Sequence, residues 1–239
     1  MMAQHKIADP LGQALLDHYN SGTAKRIQVL SPDVDDDVYS TQSFFTPFNG
    51  MPEVEQQAMA IARGKVLDVG AAAGRHSILL QDRLEVHALE QSPGAVEVMK
   101  RRGIKNTHCQ DLWLHYGNYD TILLLMNGIG LAGYRKNVPK LLNHFAAMLN
   151  EGGQILFDST DVKYLYADAE SLLHLTEIKD YYGEVLFEFK YKGQKSGQFP
   201  WVYVDQRTML ETVHKAELKM EIVASAGRHG QYLGRITLT

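Results

Sequence analysis

Cysteine is almost missing from this chain: one residue, Cys109, in 239. That excludes an intramolecular disulfide framework and any zinc site built from clustered thiolates. Long hydrophobic runs are missing too. The strongest, Ile122 to Met126, is far too short to cross a bilayer, and the opening MMAQHKIADP has no apolar signal-peptide core. Neither sign of charge dominates: 24 Lys and Arg against 28 Asp and Glu give a net charge of −4. The totals therefore offer no basic surface for nucleic acid or anionic lipid. Metal signatures are absent as well. The ten histidines include no His-x-x-x-His pair with a third ligand, and Asp33 to Asp37 lack EF-hand spacing and its glycine pivot. With no repeat, low-complexity stretch or Ser/Pro-rich linker, the expectation is a cytoplasmic globular protein with one main domain and no metal.

What is present is a change of period. In the first sixty residues, Leu11, Leu15, Leu16 and Tyr19 share one helical face, and a second helical pattern runs from Glu53 to about Ala62 before Gly64. Between them lies an acidic, then aromatic stretch that carries Tyr39, Phe44 and Phe45. Residues 1–60 thus read as a helical N-terminal lid on a single unit over 61–239. From Lys65 onward, short apolar runs alternate with helix formers: KVLDVG, EVHALE, NTHCQD, YDTILLLMN and QILFDST, separated by AAAGRHSILLQDRL, SPGAVEVMKRRG and VPKLLNHFAAMLN. Ser92 reads as an N-cap with Pro93 behind it, and LysArgArg at 100–102 suits a helix C-terminus. The pattern predicts an α/β, Rossmann-like doubly wound sheet, mostly parallel, with helices on both faces. After residue 180, EVLFEFKYKG, FPWVYVD, KMEIVAS and QYLGRITLT alternate polar and apolar residues, so antiparallel C-terminal strands are predicted to finish the sheet, with Asp205 capping a helix between them.

The informative segment is Val66-Leu67-Asp68-Val69-Gly70-Ala71-Ala72-Ala73-Gly74-Arg75-His76. A buried strand enters a turn of small residues and leaves as a helix, so a ligand can approach the backbone and meet unpaired N–H groups. The next strand ends at Glu90, twenty residues past Gly70 (90 − 70 = 20), where a carboxylate can accept from both hydroxyls of a ribose. The plainer reading is a tight βα turn plus a solvated glutamate. The two features at this spacing, each at a strand end, favour nucleoside binding in the crevice of an open sheet. A dinucleotide fingerprint would need glycine at 72 and 75, where Ala72 and Arg75 stand.

Taken together, VLDVGAAAG, HALEQSPGAVEVMKRRG, CQDLW, YDTILLLMNGIG and LNEGGQILFDST resemble, in order, the successive motifs of the class I S-adenosylmethionine-dependent methyltransferases, over roughly residues 60–160. The stretch from Glu53 looks like the subgroup acting on small molecules. The resemblance implies the class I methyltransferase fold and S-adenosylmethionine as cofactor. Gly70, Ala71, Ala72 and Gly74 would line its methionine and ribose portion, and Asp68 would organise the turn. Glu90 would take the ribose hydroxyls, with Gln91 beside the adenine and Asp111 and Leu112 bracketing it. Asn127 and Gly128 would face the methionine carboxylate or the sulfonium. Ala72 departs from the family pattern, which has glycine there. Asp111 also reads as a helix cap and Asn127 as a turn residue.

Candidates for the acceptor pocket are Tyr39, Phe44, Phe45, His76, Tyr134 and Asp158, with Asp161 and Trp201 near them in the pattern. Aromatic faces suit a sulfonium, and His76 or Asp158 can act as a base. Residues 1–60 and the strands beyond 180 are expected to shape that pocket for a small-molecule acceptor. The chain lacks the Asn-Pro-Pro-aromatic motif of amino-methylating enzymes acting on bases or glutamine, having Met-Asn-Gly-Ile-Gly instead, so nucleic acid is not the expected acceptor. Two alternatives stay open at this point: a nicotinamide-dependent oxidoreductase, and a non-catalytic nucleoside-binding protein on the same fold. Nothing in the sequence fixes the acceptor or the oligomeric state.

Overall fold

The apolar runs become the strands of a buried sheet in the computed structural model, which describes residues 8–166, 180–226 and 230–239. Strands β3 (Lys65–Val69), β4 (Glu85–Glu90), β5 (Asn106–Cys109), β6 (Tyr119–Leu124) and β7 (Leu149–Ser159) pair in parallel. They alternate with α3 (Arg75–Leu80), α4 (Pro93–Arg101) and α5 (Val138–Ala146). Strands β11 (Leu218–Ala226) and β12 (Gln231–Leu238) extend the sheet antiparallel from β7. The order is β11-β12-β7-β6-β3-β4-β5. The chain winds outward from β3 to β4 and β5, then returns to β6 on the other side, so a crevice opens at the carboxyl ends of β3 and β6, where the connections that leave them part. Leu67, Ile122, Leu124, Phe145 and Phe157 are fully buried in the largest core cluster, as expected for strands covered on both faces. Asp205 caps α6 (Gln206–Lys215) through the Thr208 N–H, as the sequence predicts.

Two expectations need correction. First, the lid is only partly helical. Between α1 (Pro10–Ser21) and α2 (Glu53–Ile61) lie strands β1 (Arg26–Leu30) and β2 (Asp37–Ser40). Second, the strands after residue 180 do not all join one sheet. β8 (Glu184–Tyr191), β9 (Gln194–Lys195) and β10 (Phe199–Val202) form a separate antiparallel sheet with β1 and β2, ordered β10-β8-β1-β2, with β9 beside β8. Both errors have one cause. RIQVL and DVYS are short and polar on one side; DVYS pairs only with RIQVL, whose other partner, β8, lies some 160 residues later (190 − 28 = 162), so no local period announces them. Because that sheet draws on chain from both sides of residue 60, the lead-in is woven into the fold, not laid over it.

Helix α1 also turns differently from its apolar pattern. Gly12, Ala14, Leu15 and His18 are its buried face, whereas Tyr19 is exposed at the rim and donates to the Arg101 carbonyl. Among the described residues, no helix is long and apolar enough to cross a membrane.

Candidate active site

The turn after β3 is held by its neighbours before any ligand is considered. Gly70 (φ 67°), Ala72 (φ 48°) and Gly74 (φ 72°) all take left-handed conformations. The N–H groups of Gly70 and Ala71 both donate to the Leu89 carbonyl at the end of β4, at 2.9 and 3.1 Å. Gly74 also sits close against its neighbours, since a Cβ there would fall 2.1 Å from Ile104 Cδ1 and force that side chain to shift. Ala72, which an L-residue adopts at some cost, packs its methyl in a cluster with Leu15 of α1, Ala95 and Val98. Its N–H donates to Glu90 Oε2 at 2.9 Å, and the Ser92 N–H donates to Glu90 Oε1 at the same distance. Glu90 is therefore fixed at the strand tip by the starts of two helices. Burial pushes its carboxyl above the ordinary range, against the pull of those N–H donors.

A cleft of about 2560 Å³ runs from this crevice across to the second sheet. Of the cofactor candidates, Gly70, Ala72, Glu90, Gln91, Asp111, Leu112, Asn127 and Gly128 line it. Asp68, Ala71 and Gly74 stand behind the turn instead. Asp68 is buried and accepts the Ser77 hydroxyl at 2.6 Å, and burial raises its carboxyl pKa. Ala71 packs with Ala88, Val96 and Met99. Asp111 has its predicted capping role, Oδ1 accepting the Trp113 N–H at the start of a 3-10 turn over Leu112–Leu114, and it also lines the cleft.

At the end of β6 the backbone is strained. Met126 (φ 61°) and Asn127 (φ 57°) are consecutive left-handed residues, neither of them glycine. Such pairs cost of order 1–3 kcal/mol per residue and persist only where the surroundings enforce them. Here the Asn127 N–H donates to Asp158 Oδ1 at 3.0 Å, and its side-chain oxygen accepts the Thr160 hydroxyl. Asp158 is completely buried yet lines the cleft, with Gln231 Nε2 donating to its other oxygen, and burial raises its pKa.

The acceptor-pocket candidates divide. Tyr39, Phe44, Tyr134 and Asp158 line the cleft; Phe45 and His76 do not. Phe45 packs at a tilt against His18, ring centres 4.0 Å apart, under the Arg102 guanidinium, so it fastens α1 to the body of the fold. His76 is buried with Nε2 donating to Glu55 Oε2 at 2.6 Å, and burial holds its pKa at about 4. It is placed to support the turn and not to meet an acceptor. The same Glu55 oxygen is held by Arg75, whose other nitrogen donates to the Ser43 carbonyl. Position 75, which a dinucleotide site needs as glycine, thus holds a buried cation tied to α2.

Glu55 and the β1 and β2 part of the second sheet went unread in the sequence, whereas EVLFEFKYKG and FPWVYVD, read there as strands, do pair as β8 and β10. Phe187, Phe189, Phe199 and Trp201 line the cleft, joined by Tyr203 just beyond β10. The alternation in EVLFEFKY places Phe187 and Phe189 on one strand face, a signal that was available. Trp201 lies so close to Gly130 that a Cβ there would sit 2.1 Å from its indole.

This donor set fits an adenosyl group. Each Glu90 oxygen accepts one N–H and keeps a lone pair for a diol, and the adjoining floor is made of Gly70 and Ala72. No protein-family model and no curated protein matches the chain. Solved structures do. A SAM-dependent methyltransferase from Bacteroides fragilis, crystallised with S-adenosyl-L-homocysteine, is 36% identical over 97% of this chain and 95% of that one, with a TM-score of 0.88. The DhpI–SAM–HEP complex is 13% identical over 98% and 99%, with a TM-score of 0.63. CalS10, a SAM-bound amino pentose methyltransferase from Micromonospora echinaspora, is 16% identical over 80% and 94%, at 0.54. The last two show the fold alone. At 36% identity along nearly its whole length, the chain belongs to the S-adenosylmethionine-dependent methyltransferases, and S-adenosylmethionine is its cofactor.

Proposed function

We propose that the protein methylates a small molecule held between the crevice of the parallel sheet and the aromatic face of the second sheet. The observation that carries this reading is the cleft itself, which joins the Glu90 tip and the Asn127 turn to Tyr39, Phe187, Phe199 and Trp201. An opening walled on its outer side by this chain's own strands suits a compact acceptor.

In this reading Glu90 accepts from the two ribose hydroxyls, Gln91, Asp111 and Leu112 border the adenine, and Gly70 and Ala72 border the methionine portion. Asn127 and Gly128 face the reacting end, while Asp68, Ala71 and Gly74 hold the turn from behind. When bound, S-adenosylmethionine supplies a methyl group already activated by a sulfonium leaving group. The chain's own part is to align the incoming nucleophile in line with that methyl and to keep water out. Asp158, buried at the cleft wall beside the Asn127 turn, is the group placed to take a proton from the acceptor.

Calorimetric titration with S-adenosylhomocysteine tests the cofactor assignment. Glu90→Ala is expected to weaken binding by about 1–3 kcal/mol, because a charged acceptor for the ribose is lost. Unchanged affinity in that variant rules out the ribose role. Methyl transfer from labelled cofactor to a panel of metabolites tests turnover.

A further inference from the structure

We infer that the acceptor is an organic amine, entering as an ammonium group on an aromatic or otherwise apolar body. This rests on the methyltransferase reading of the same cleft. Its first support is the sign of the charge. With 24 Lys and Arg against 28 Asp and Glu in the chain, an unbiased cleft would carry both signs about equally. Among the described residues it does not. Asp35, Asp36 and Asp37 stand at the cleft, Glu90, Asp111 and Asp158 line its cofactor side, and the one cationic side chain in the lining is Arg75. Arg75 is committed to Glu55 and the Ser43 carbonyl, so it offers nothing to a phosphate or carboxylate. A concave wall of one charge draws in ligands of the other sign and repels its own.

The second support is the sheet face, which sets aromatic rings in register with one of those carboxylates. Antiparallel pairing sets Val29 opposite both Asp37 and Phe189, and Phe187 opposite Phe199. One cross-strand row therefore runs carboxylate, valine, aromatic ring, all three lining the cleft. The Phe189 and Phe199 rings meet edge to face at 5.0 Å and remain half-buried, leaving an aromatic surface with a carboxylate at its end. An apolar body lies on the rings, and an ammonium is favoured both by the ring faces and by the acidic row. The bound ammonium gives its proton to the Asp158 carboxylate. The freed amine lone pair then forms the N–C bond as the C–S bond breaks, its electron pair remaining on sulfur. The product is an N-methylammonium and a neutral thioether, so the positive charge of the sulfonium passes to nitrogen.

Protein saturated with S-adenosylhomocysteine is titrated in a calorimeter with phenethylamine and with hydrocinnamate, which share a ring and spacer but carry opposite charges. Phenethylamine is expected to bind about tenfold more tightly or better, a preference worth ~1.4 kcal/mol. The preference should shrink at about 0.5 M NaCl, where exposed charges are screened. Replacing the rim together, Asp35→Asn, Asp36→Asn and Asp37→Asn, should cut it to about threefold or less, with homocysteine-ligand affinity retained as the control for folding. Equal binding of the two probes, preference for hydrocinnamate, or no heat from phenethylamine overturns the amine assignment. Full preference in the triple variant overturns the role of the acidic row. Failure of S-adenosylhomocysteine to bind at the first step instead overturns the cofactor assignment on which both rest.

Discussion

A single carboxylate can serve two helices. Asp9 Oδ1 accepts the Gly12 N–H at 2.9 Å, closing the first turn of α1, while Oδ2 accepts the Gly94 N–H at 3.0 Å in the first turn of α4. The Ser92 hydroxyl donates to the same carboxylate at 2.7 Å and accepts the Ala95 N–H in turn. The negative charge thus sits at two positive helix ends, next to the Glu90 tip. Gly12 and Gly94 make this possible: a Cβ on Gly94 would lie 2.7 Å from the Gly12 carbonyl carbon. Asp9→Ala should therefore cost more than an ordinary cap. A loss of about 1–3 kcal/mol in urea unfolding is expected, with Ser92→Ala toward the lower end. A loss under ~0.5 kcal/mol would show that water replaces both caps. The sequence marks Ser92 as a cap, and Asp9 before Pro10 carries the same local signal for α1, though it went unread; only its bond to α4, eighty-five residues on (94 − 9 = 85), has no local sign.

At the scale of elements, the β5–β6 connection carries Asp111 and also His115, the end of a histidine chain that starts with His87 on β4 and His108 on β5. His87 Nδ1 lies 2.9 Å from His108 Nε2, the His108 and His115 rings are 5.0 Å apart, and His115 bonds Gln110 and Tyr119, each at 2.7 Å. Burial first, then the neighbouring histidines, hold the His115 pKa at about 4. A base whose folded pKa is depressed binds fewer protons than the unfolded chain between that value and ordinary histidine, near 6.5. Its contribution to stability is therefore complete above about pH 6.5 and declines as the pH falls toward 4. Protonation would also set Nδ1–H against the Gln110 amide N–H₂ unless that amide turns over. Comparing urea unfolding of wild type and His115→Gln should show their stability difference shrinking on acidification through this window. A pH-independent difference would refute the coupling.

This connection also shows what the sequence made legible. Parallel strands and their helices alternate locally, so their order, and the Gly70–Glu90 pairing at two strand tips, could be read from spacing. Side-chain direction could not. His76 and Phe45 fall at plausible positions, yet Glu55 claims the first and His18 and Arg102 the second. Neither contact is implied by any local period. Strands β8 and β10 could be read from their alternation, but β1 and β2 could not, since β1 acquires its strand character by pairing with β8.

Across the whole molecule, the cleft exists because two sheets face each other, and a buried ionic group fixes how they do so. Glu55 on α2 holds Arg75 and His76 at the start of α3, and Arg75 reaches the Ser43 carbonyl in the segment leading out of β2. A cation at the first position of a helix opposes the helix dipole, so Arg75 is tolerable there only while Glu55 neutralises it. Glu55, Arg75 and His76 are all at least 95% buried, which makes the removal of one partner far costlier than the pair is worth. Glu55→Ala is expected to lose about 3–5 kcal/mol, because it strands a guanidinium away from water. Glu55→Met with Arg75→Leu should recover much of that loss, since well-packed apolar side chains replace a buried pair at little cost. If the network also sets the distance between the sheets, the double variant will refold yet bind S-adenosylhomocysteine more weakly than wild type, and protease will cut its first fifty residues faster. Restored stability with wild-type affinity and wild-type cleavage would instead show that β1–β8 pairing alone holds the second sheet over the crevice.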